Sequence, residues 1–279
     1  MRTLTGAVAV ITGAGSGIGR ALALRLARER CDLAIADIDP AGLAETAVKA
    51  RASRINVSTH TVDVADRTAM TEFRDAVLRA HGRANLLINN AGVALLGNVT
   101  ELTLDEIAWL MGVNFWGVVH GIKLFLPLLQ QQADAHIVNL SSVFGIIAPP
   151  GNAPYAASKF AVRGLSEALG HELALAHSRV KVTTVHPGGI RTPIAARARV
   201  GATVGEARRS DAVARFDKMA RTSPEAAAER ILRGILAGEK RVLIGGDARF
   251  LDALQRLLPT RYGAVLQRLW GRDMRESKR

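Results

Sequence analysis

Cysteine is nearly absent. One residue, Cys31, stands in a chain of 279, which excludes an internal disulfide and a cysteine-built metal cluster. A reducing cytoplasm is the expected compartment, and Cys31, just before the apolar run LAIAD (33–37), is expected to be a small core residue. The histidines (His60, His81, His120, His136, His171, His177, His186) are scattered with no tight ligand spacing, so no metal is expected. No run approaches the roughly 18 consecutive apolar residues of a membrane span, and the N-terminus carries no basic-then-apolar signal segment. Helix-turn-helix, zinc and RNP patterns are missing too. So are linkers, repeats and low-complexity breaks. The chain reads as one domain over residues 1–245, with a helical extension over 246–279.

What is present is apolar and basic. Hydrophobic residues make up 48 %, enough for a substantial core, and the formal net charge is +12. The charge is uneven: residues 191–221 hold Arg191, Arg197, Arg199, Arg208, Arg209, Arg215, Lys218 and Arg221 against Glu206, Asp211 and Asp217. No aromatic stacking platform accompanies them, so this is read as solvated surface and nucleic acid is not expected as a partner.

Short β-rich runs alternate with longer helical ones. Strands are expected at 7–11, 33–37, 57–64, 85–90, 135–140, 179–185 and 241–245. Most are apolar and continuous, as strands buried on both faces should be. Stretches such as GRALALRLARER and PEAAAERILRGILAG between them read as helices. The alternation predicts βαβ units: an α/β, Rossmann-type, doubly wound parallel sheet of about seven strands. The segment 191–222 and the tail from about 246 fit this scheme poorly.

The run ITGAGSGIGRA (11–21) places Gly13, Gly15, Gly17 and Gly19 between the first strand and the first helix. Main-chain N–H groups and the dipole at a helix N-terminus favour an anion, so such a turn is a candidate phosphate cradle. Gly13 allows the turn, Gly17 admits the ligand and Gly19 lets helix and strand approach. Asp37, at the end of the second strand, can bind both hydroxyls of an adenosine ribose and would repel a 2′-phosphate. No Arg or Lys lies between Gly13 and Gly19, so NAD is expected over NADP.

PYAASKF sets Tyr155 and Lys159 four apart, on one helix face after Pro154. An ammonium near a phenol favours phenolate, so Tyr155 is expected to titrate below its ordinary value and to serve as a proton donor and acceptor. HIVNLSS ends a strand in Ser141 and Ser142. LLINNAG ends another in Asn89, Asn90, Ala91 and Gly92. Ligands of open α/β sheets bind beyond such strand ends.

These motifs occur in one order: TGAGSGIG (12–19), Asp37, DV (63–64), NNAG (89–92), Asn114 in MGVNFWG, NLSS (139–142), YAASK (155–159) and HPGGIRT (186–192). Together they resemble the short-chain dehydrogenase/reductase family over about residues 5–245. The resemblance implies that Tyr155 is the acid/base, that Ser142 holds the substrate oxygen, and that Lys159 binds the nicotinamide ribose. It implies that Asn114 holds a water continuing a proton relay from Lys159. Gly13, Ser16, Gly17, Ile18, Gly19, Asp37 and Ile38 would hold the adenosine and phosphate side. Asp63 and Val64 would border adenine, Asn90, Ala91 and Gly92 the ribose. Pro187, Gly188, Ile190 and Thr192 would orient the nicotinamide, beside Tyr155 and Lys159.

Expected substrate walls are Val93, Ala94, Val143, Phe144, Ile146 and the segment 191–222, which by resemblance is a mobile lid; Ser142 and Tyr155 face the reacting carbon. The apolar set favours a lipophilic secondary alcohol or ketone as the small-molecule substrate. In the tail, Leu251, Leu254, Leu257, Leu258, Tyr262, Val265, Leu266, Leu269 and Trp270 recur at helical spacing, broken at Pro259, with arginines between. Packing against the core or a second subunit is the commoner fate of such a stripe; peripheral contact with an anionic membrane is the alternative. A homodimer or homotetramer is implied by resemblance. The reading is an NAD-dependent alcohol–ketone oxidoreductase. Its rivals are a 3-oxoacyl thioester reductase and a dinucleotide-sensing or membrane-associated binding protein without turnover.

Overall fold

The computed structural model describes residue 1 and residues 3–268. Among the described residues the strands are β1 (Val8–Thr12), β2 (Asp32–Asp37), β3 (Val57–Thr61), β4 (Leu86–Asn89), β5 (Leu95–Leu96), β6 (Ala135–Leu140), β7 (Val180–Pro187), β8 (Arg199–Val200) and β9 (Arg241–Ile244). The α-helices are α1 (Gly17–Arg28), α2 (Pro40–Arg51), α3 (Arg67–His81), α4 (Leu104–Met111), α5 (Gly117–Gln130), α6 (Ala153–Leu175), α7 (Glu206–Met219), α8 (Pro224–Ala237) and α9 (Gly246–Leu257). Seven strands form one sheet in the order β3-β2-β1-β4-β6-β7-β9, every pair parallel.

Alternate residues of each strand serve opposite faces. Ala9, Ile11, Leu33, Ile35 and Ile88 pack toward α1, α2 and α8, while Val10, Ala34, Leu87 and Ile137 pack toward α3, α5 and α6. Both sets are apolar because both faces are covered. The order reverses between β1 and β4, and there a crevice opens beyond the carboxyl ends of the strands. Helix starts are fixed locally: Asp39 accepts from Ala41 N and Gly42 N ahead of Pro40-led α2, and Pro154 opens α6.

Three segments depart from the sequence expectation. The third strand ends at Thr61, not residue 64: Val62 N–H donates to Asp37 O, and Asp63 and Val64 form the turn beyond. The segment 191–222 contains β8, which pairs with β5 in a separate two-stranded sheet, and α7. Finally, α4 and α5 join through the π-helical Gly112–Trp116 into one run, Leu104–Gln130. That run is long and apolar enough by composition to cross a membrane, although no uninterrupted apolar stretch marks it. In the fold its Val118, Ile122, Phe125 and Leu129 are buried in the sheet-facing core.

The tail folds back on its own chain. Leu251, Leu254, Tyr262 and Leu266 pack with Val143, Phe144, Ile146 and Ile147, while Phe250 and Leu257 stay exposed. Leu269 and Trp270 lie outside the described residues.

Candidate active site

The turn after β1 is built for close approach. Gly13 and Gly17 have φ of +67° and +52°, which side-chain-bearing residues rarely adopt. A Cβ on Gly13 would lie 2.7 Å from Ala91 Cα, and one on Gly19 would overlap Gly13 O. Asn90 locks the turn from β4, its Nδ2 donating to Thr12 O (3.0 Å) and Gly13 O (2.9 Å). Ser16 precedes α1 without a side-chain cap bond, and Ile18 packs on the core. Asp37 Oδ2 accepts from Gly15 N at 2.7 Å and Oδ1 from Asp39 N at 2.9 Å. Ile38 beside it is 66 % exposed.

Arg20 is a member of this cradle that the sequence reading missed. Its guanidinium donates to Gly15 O, Gly42 O and Thr46 Oγ1 and pairs with Glu45 at 2.8 Å. It braces the turn, and these partners engage its charge. Its signal was a cation directly after the last glycine.

Across the crevice, the loop after β7 runs from Pro187 to Thr192. Gly188 N donates to Ile244 O, Ile190 is buried, and Thr192 Cγ2 would meet a Cβ on Gly17 at 3.0 Å. Asp63 holds Ala65 N at 2.9 Å, and Val64 O takes the His120 Nδ1–H at 2.9 Å.

Tyr155, Lys159, Ser142 and Asn114 converge at the ends of β4 and β6. Ser142 caps a 3-10 turn, accepting from Phe144 N at 3.1 Å, and its hydroxyl lies near enough to the Tyr155 phenol to act on its titration. Lys159 Nζ lies 5.7 Å from the Tyr155 ring centroid and donates to Leu140 O at 3.0 Å. A Cβ on Gly92 would lie 3.3 Å from Asn114 Oδ1 and 3.4 Å from Lys159 Nζ, so these groups share one corner. Asn114 sits in the π-helical segment, a feature frequent at functional sites. Its side chain grips Val93 (N to Oδ1 2.8 Å, Nδ2 to O 3.0 Å) and Ser158 Oγ (3.2 Å). One Oδ1 lone pair is left over.

The expected depression of the Tyr155 pKa does not occur in this structure. Burial pushes Tyr155 up to about 12, against the opposing pull of the neighbouring Ser142 hydroxyl. Burial also pushes Lys159 down to about 8. Desolvation penalises the phenolate and the ammonium alike, and the amine is turned to Leu140 O.

Of the expected walls, Val93, Ala94 and Phe144 are half-buried, and the Phe144 ring stands edge-on to Tyr155 at 6.1 Å. Val143 and Ile146 turn the other way, into the cluster under the tail. The lid is stitched to the opposite rim. Arg199 N donates to Ala94 O (3.1 Å), the Arg199 guanidinium lies 3.7 Å from the Trp109 ring centroid, and Arg208 pairs with Glu101 at 2.6 Å. Arg199 is solvent-facing and Arg208 partly so, and both are also engaged by partners on the opposite rim.

Comparison with known proteins decides the family. The family model described as short chain dehydrogenase matches residues 7–202. The chain belongs to the short-chain dehydrogenase/reductase family. A putative oxidoreductase, SadH, of Mycobacterium tuberculosis is 46 % identical over 264 residues, covering 94 % of each chain. Estradiol 17-beta-dehydrogenase 11 of Homo sapiens is 32 % identical over 274 residues, 96 % of this chain and 84 % of that one. A Burkholderia phymatum short-chain dehydrogenase/reductase solved in complex with NAD superposes with a TM-score of 0.85 at 34 % identity, over 92 % of this chain and 95 % of that one. The expected parallel sheet is therefore that of the short-chain dehydrogenase/reductases. The glycine turn of this family member fits a dinucleotide: α1 starts directly behind it at Gly17, so the N–H groups and positive dipole end of its first turn are set for a phosphate.

Proposed function

We propose that this short-chain dehydrogenase/reductase uses NAD to interconvert a secondary alcohol and a ketone on a lipophilic substrate. One observation carries the reading: Lys159 Nζ lies 5.7 Å from the Tyr155 ring centroid and shares a corner with Asn114 beside Gly92, while Asp37 holds the glycine turn at the adjoining strand ends.

Gly13 to Gly19 and Asp37 would hold the pyrophosphate and adenosine ribose, Lys159 the other ribose, and Pro187 to Thr192 the nicotinamide. When bound, NAD supplies the carbon that accepts or returns the hydride. The chain supplies position and the proton. Ser142 Oγ holds the substrate oxygen against the Tyr155 hydroxyl. In ketone reduction Tyr155 donates its proton to that oxygen as the new C–H bond forms. In alcohol oxidation the phenolate takes the hydroxyl proton, and the Lys159 ammonium stabilises the phenolate. Tyr155, at about 12, holds its proton at neutral pH and is ready as the acid.

The half-buried Val93, Ala94 and Phe144 support a lipophilic substrate, as does the likeness to a relative named for estradiol. Asp37 supports NAD, since a carboxylate there repels a 2′-phosphate, and it weighs against a 3-oxoacyl thioester reductase of the NADP-using kind. The intact Asn114, Ser142, Tyr155 and Lys159 weigh against a sensor without turnover. Assembly as a homodimer or homotetramer is part of the proposal and is checked by light scattering. The test of function is NADH formation from a panel of secondary alcohols, from short-chain to steroidal, with 3-hydroxyacyl thioesters alongside. NAD-linked oxidation of apolar alcohols supports the reading; turnover confined to thioesters with NADP overturns it.

A further inference from the structure

Two glycine pairs 57 residues apart, Gly188-Gly189 after β7 and Gly245-Gly246 after β9, meet around one carboxylate. Asp247, in the first turn of α9, accepts the Gly189 N–H on Oδ2 at 2.7 Å. Its carboxylate lies on Gly188: all three atoms nearest to a Cβ built there belong to Asp247, and they would overlap it. A Cβ on Gly245 would overlap Asp247 Oδ1 as well, and Gly245 has φ of +97°, open to glycine but strained for other residues. The carboxylate thus fills a slot that exists only because Gly188 and Gly245 have no side chains.

The next peptide, Gly189–Ile190, is held by the end of the lid. Thr222 N donates to Gly189 O (3.2 Å), and Arg191 N donates to Thr222 O (2.9 Å). Both polar groups of Gly189 are therefore consumed by segments outside the sheet, Asp247 on one side and Thr222 on the other. The loop they fix is the one facing Gly17 across the crevice, on the strand next to β6 with its Ser142. With Asp37 holding the adenosine end at β2, the reactive end of a dinucleotide must lie at this β6–β7 side to reach a substrate on Ser142 and Tyr155.

We propose that Asp247 is a positioning residue for the nicotinamide half of the cofactor: it sets the Gly188–Gly189 peptide plane and so the wall against which the reactive ring lies. The inference rests on the dinucleotide reading given above. It assigns the start of the C-terminal segment to the active site, as a brace for the cofactor loop.

The test compares NADH with ADP-ribose, which lacks the nicotinamide. Both are titrated by calorimetry onto wild type, Asp247→Ala, Asp247→Asn and Asp247→Glu, with thermal melting alongside. Asp247→Ala is expected to weaken NADH about tenfold, the loss of a charge-assisted hydrogen bond, and to leave ADP-ribose within about twofold. Asp247→Asn, which keeps an acceptor oxygen, recovers most of the NADH affinity. If the Ala variant does not fold, Asp247→Glu serves, since one more methylene displaces the slot; it too should weaken NADH selectively. Equal weakening of both ligands, or of neither, overturns the assignment of Asp247. Failure of wild type to bind either ligand overturns the dinucleotide reading itself, and the proposal with it.

Discussion

Asp37 and Gly15 are joined by a 2.7 Å hydrogen bond from the Gly15 N–H to the carboxylate. The acid at the end of β2 is thereby held over the glycine turn after β1, with Asp39 N on its other oxygen. A 2′-phosphate brought there would meet fixed negative charge, and Arg20 is already committed to Glu45 and the Gly15 and Gly42 carbonyls. Asp37→Ser is expected to weaken NADH about tenfold and to raise the NADPH-to-NADH affinity ratio by more than that. Fluorescence titration of both reduced cofactors measures it; an unchanged ratio contradicts the role given to Asp37.

Lys159 carries a conflict between stability and function. Its pKa in the fold, about 8, lies below the ordinary 10.5. Between those values the unfolded chain binds more protons, so stability rises with pH across about 8 to 10.5, and below 8 the buried ammonium is a liability. Lys159→Met is expected to raise the melting temperature at pH 7 by a few degrees while abolishing turnover. The gain should shrink as pH approaches 10. A variant less stable than wild type at pH 7 shows that the bond to Leu140 O outweighs desolvation.

His136 and His186 predict acid sensitivity. Burial holds them down to about 3 and about 4, against 6.5 when unfolded. The unfolded chain protonates first, so the contribution of these two histidines is full above pH 6.5 and is lost progressively toward pH 4. Urea midpoints at pH 7.5, 6 and 5 should fall in that order. His186, whose Nδ1 bonds Ser142 O at 2.9 Å, ties this loss to the catalytic serine.

The lid is latched through Trp109 and Glu101. Removing the Arg199–Trp109 stack by Trp109→Ala should raise the substrate KM severalfold, as a contact of roughly 0.5–2 kcal/mol allows, with NADH affinity within about twofold. Arg208→Ala, which breaks a half-exposed ion pair, should do less. Steady-state kinetics in both substrates separates these effects; a change confined to cofactor binding refutes the latch.

The parallel sheet was legible because its strands are apolar on both faces and alternate with amphipathic helices. Asp37, Ser142, Tyr155 and Lys159 were legible because each stands at a strand end or on one helix face. What was hidden depends on partners remote in sequence. The β5–β8 pair is two residues long on each side and joins segments about a hundred residues apart, too short to leave a periodicity. The Asp247 slot is two glycine pairs whose meeting only the fold reveals. The Tyr155 pKa was misjudged because spacing shows that Lys159 is near but says nothing of how deeply both are buried.

The account stands most directly on Tyr155. Wild type and Tyr155→Phe are compared for NADH formation from the best secondary alcohol, with NADH binding titrated in parallel. The predicted result is turnover lost by several orders of magnitude in the Phe variant, with NADH affinity within about twofold of wild type. Appreciable turnover in Tyr155→Phe would contradict the assignment of the proton to Tyr155.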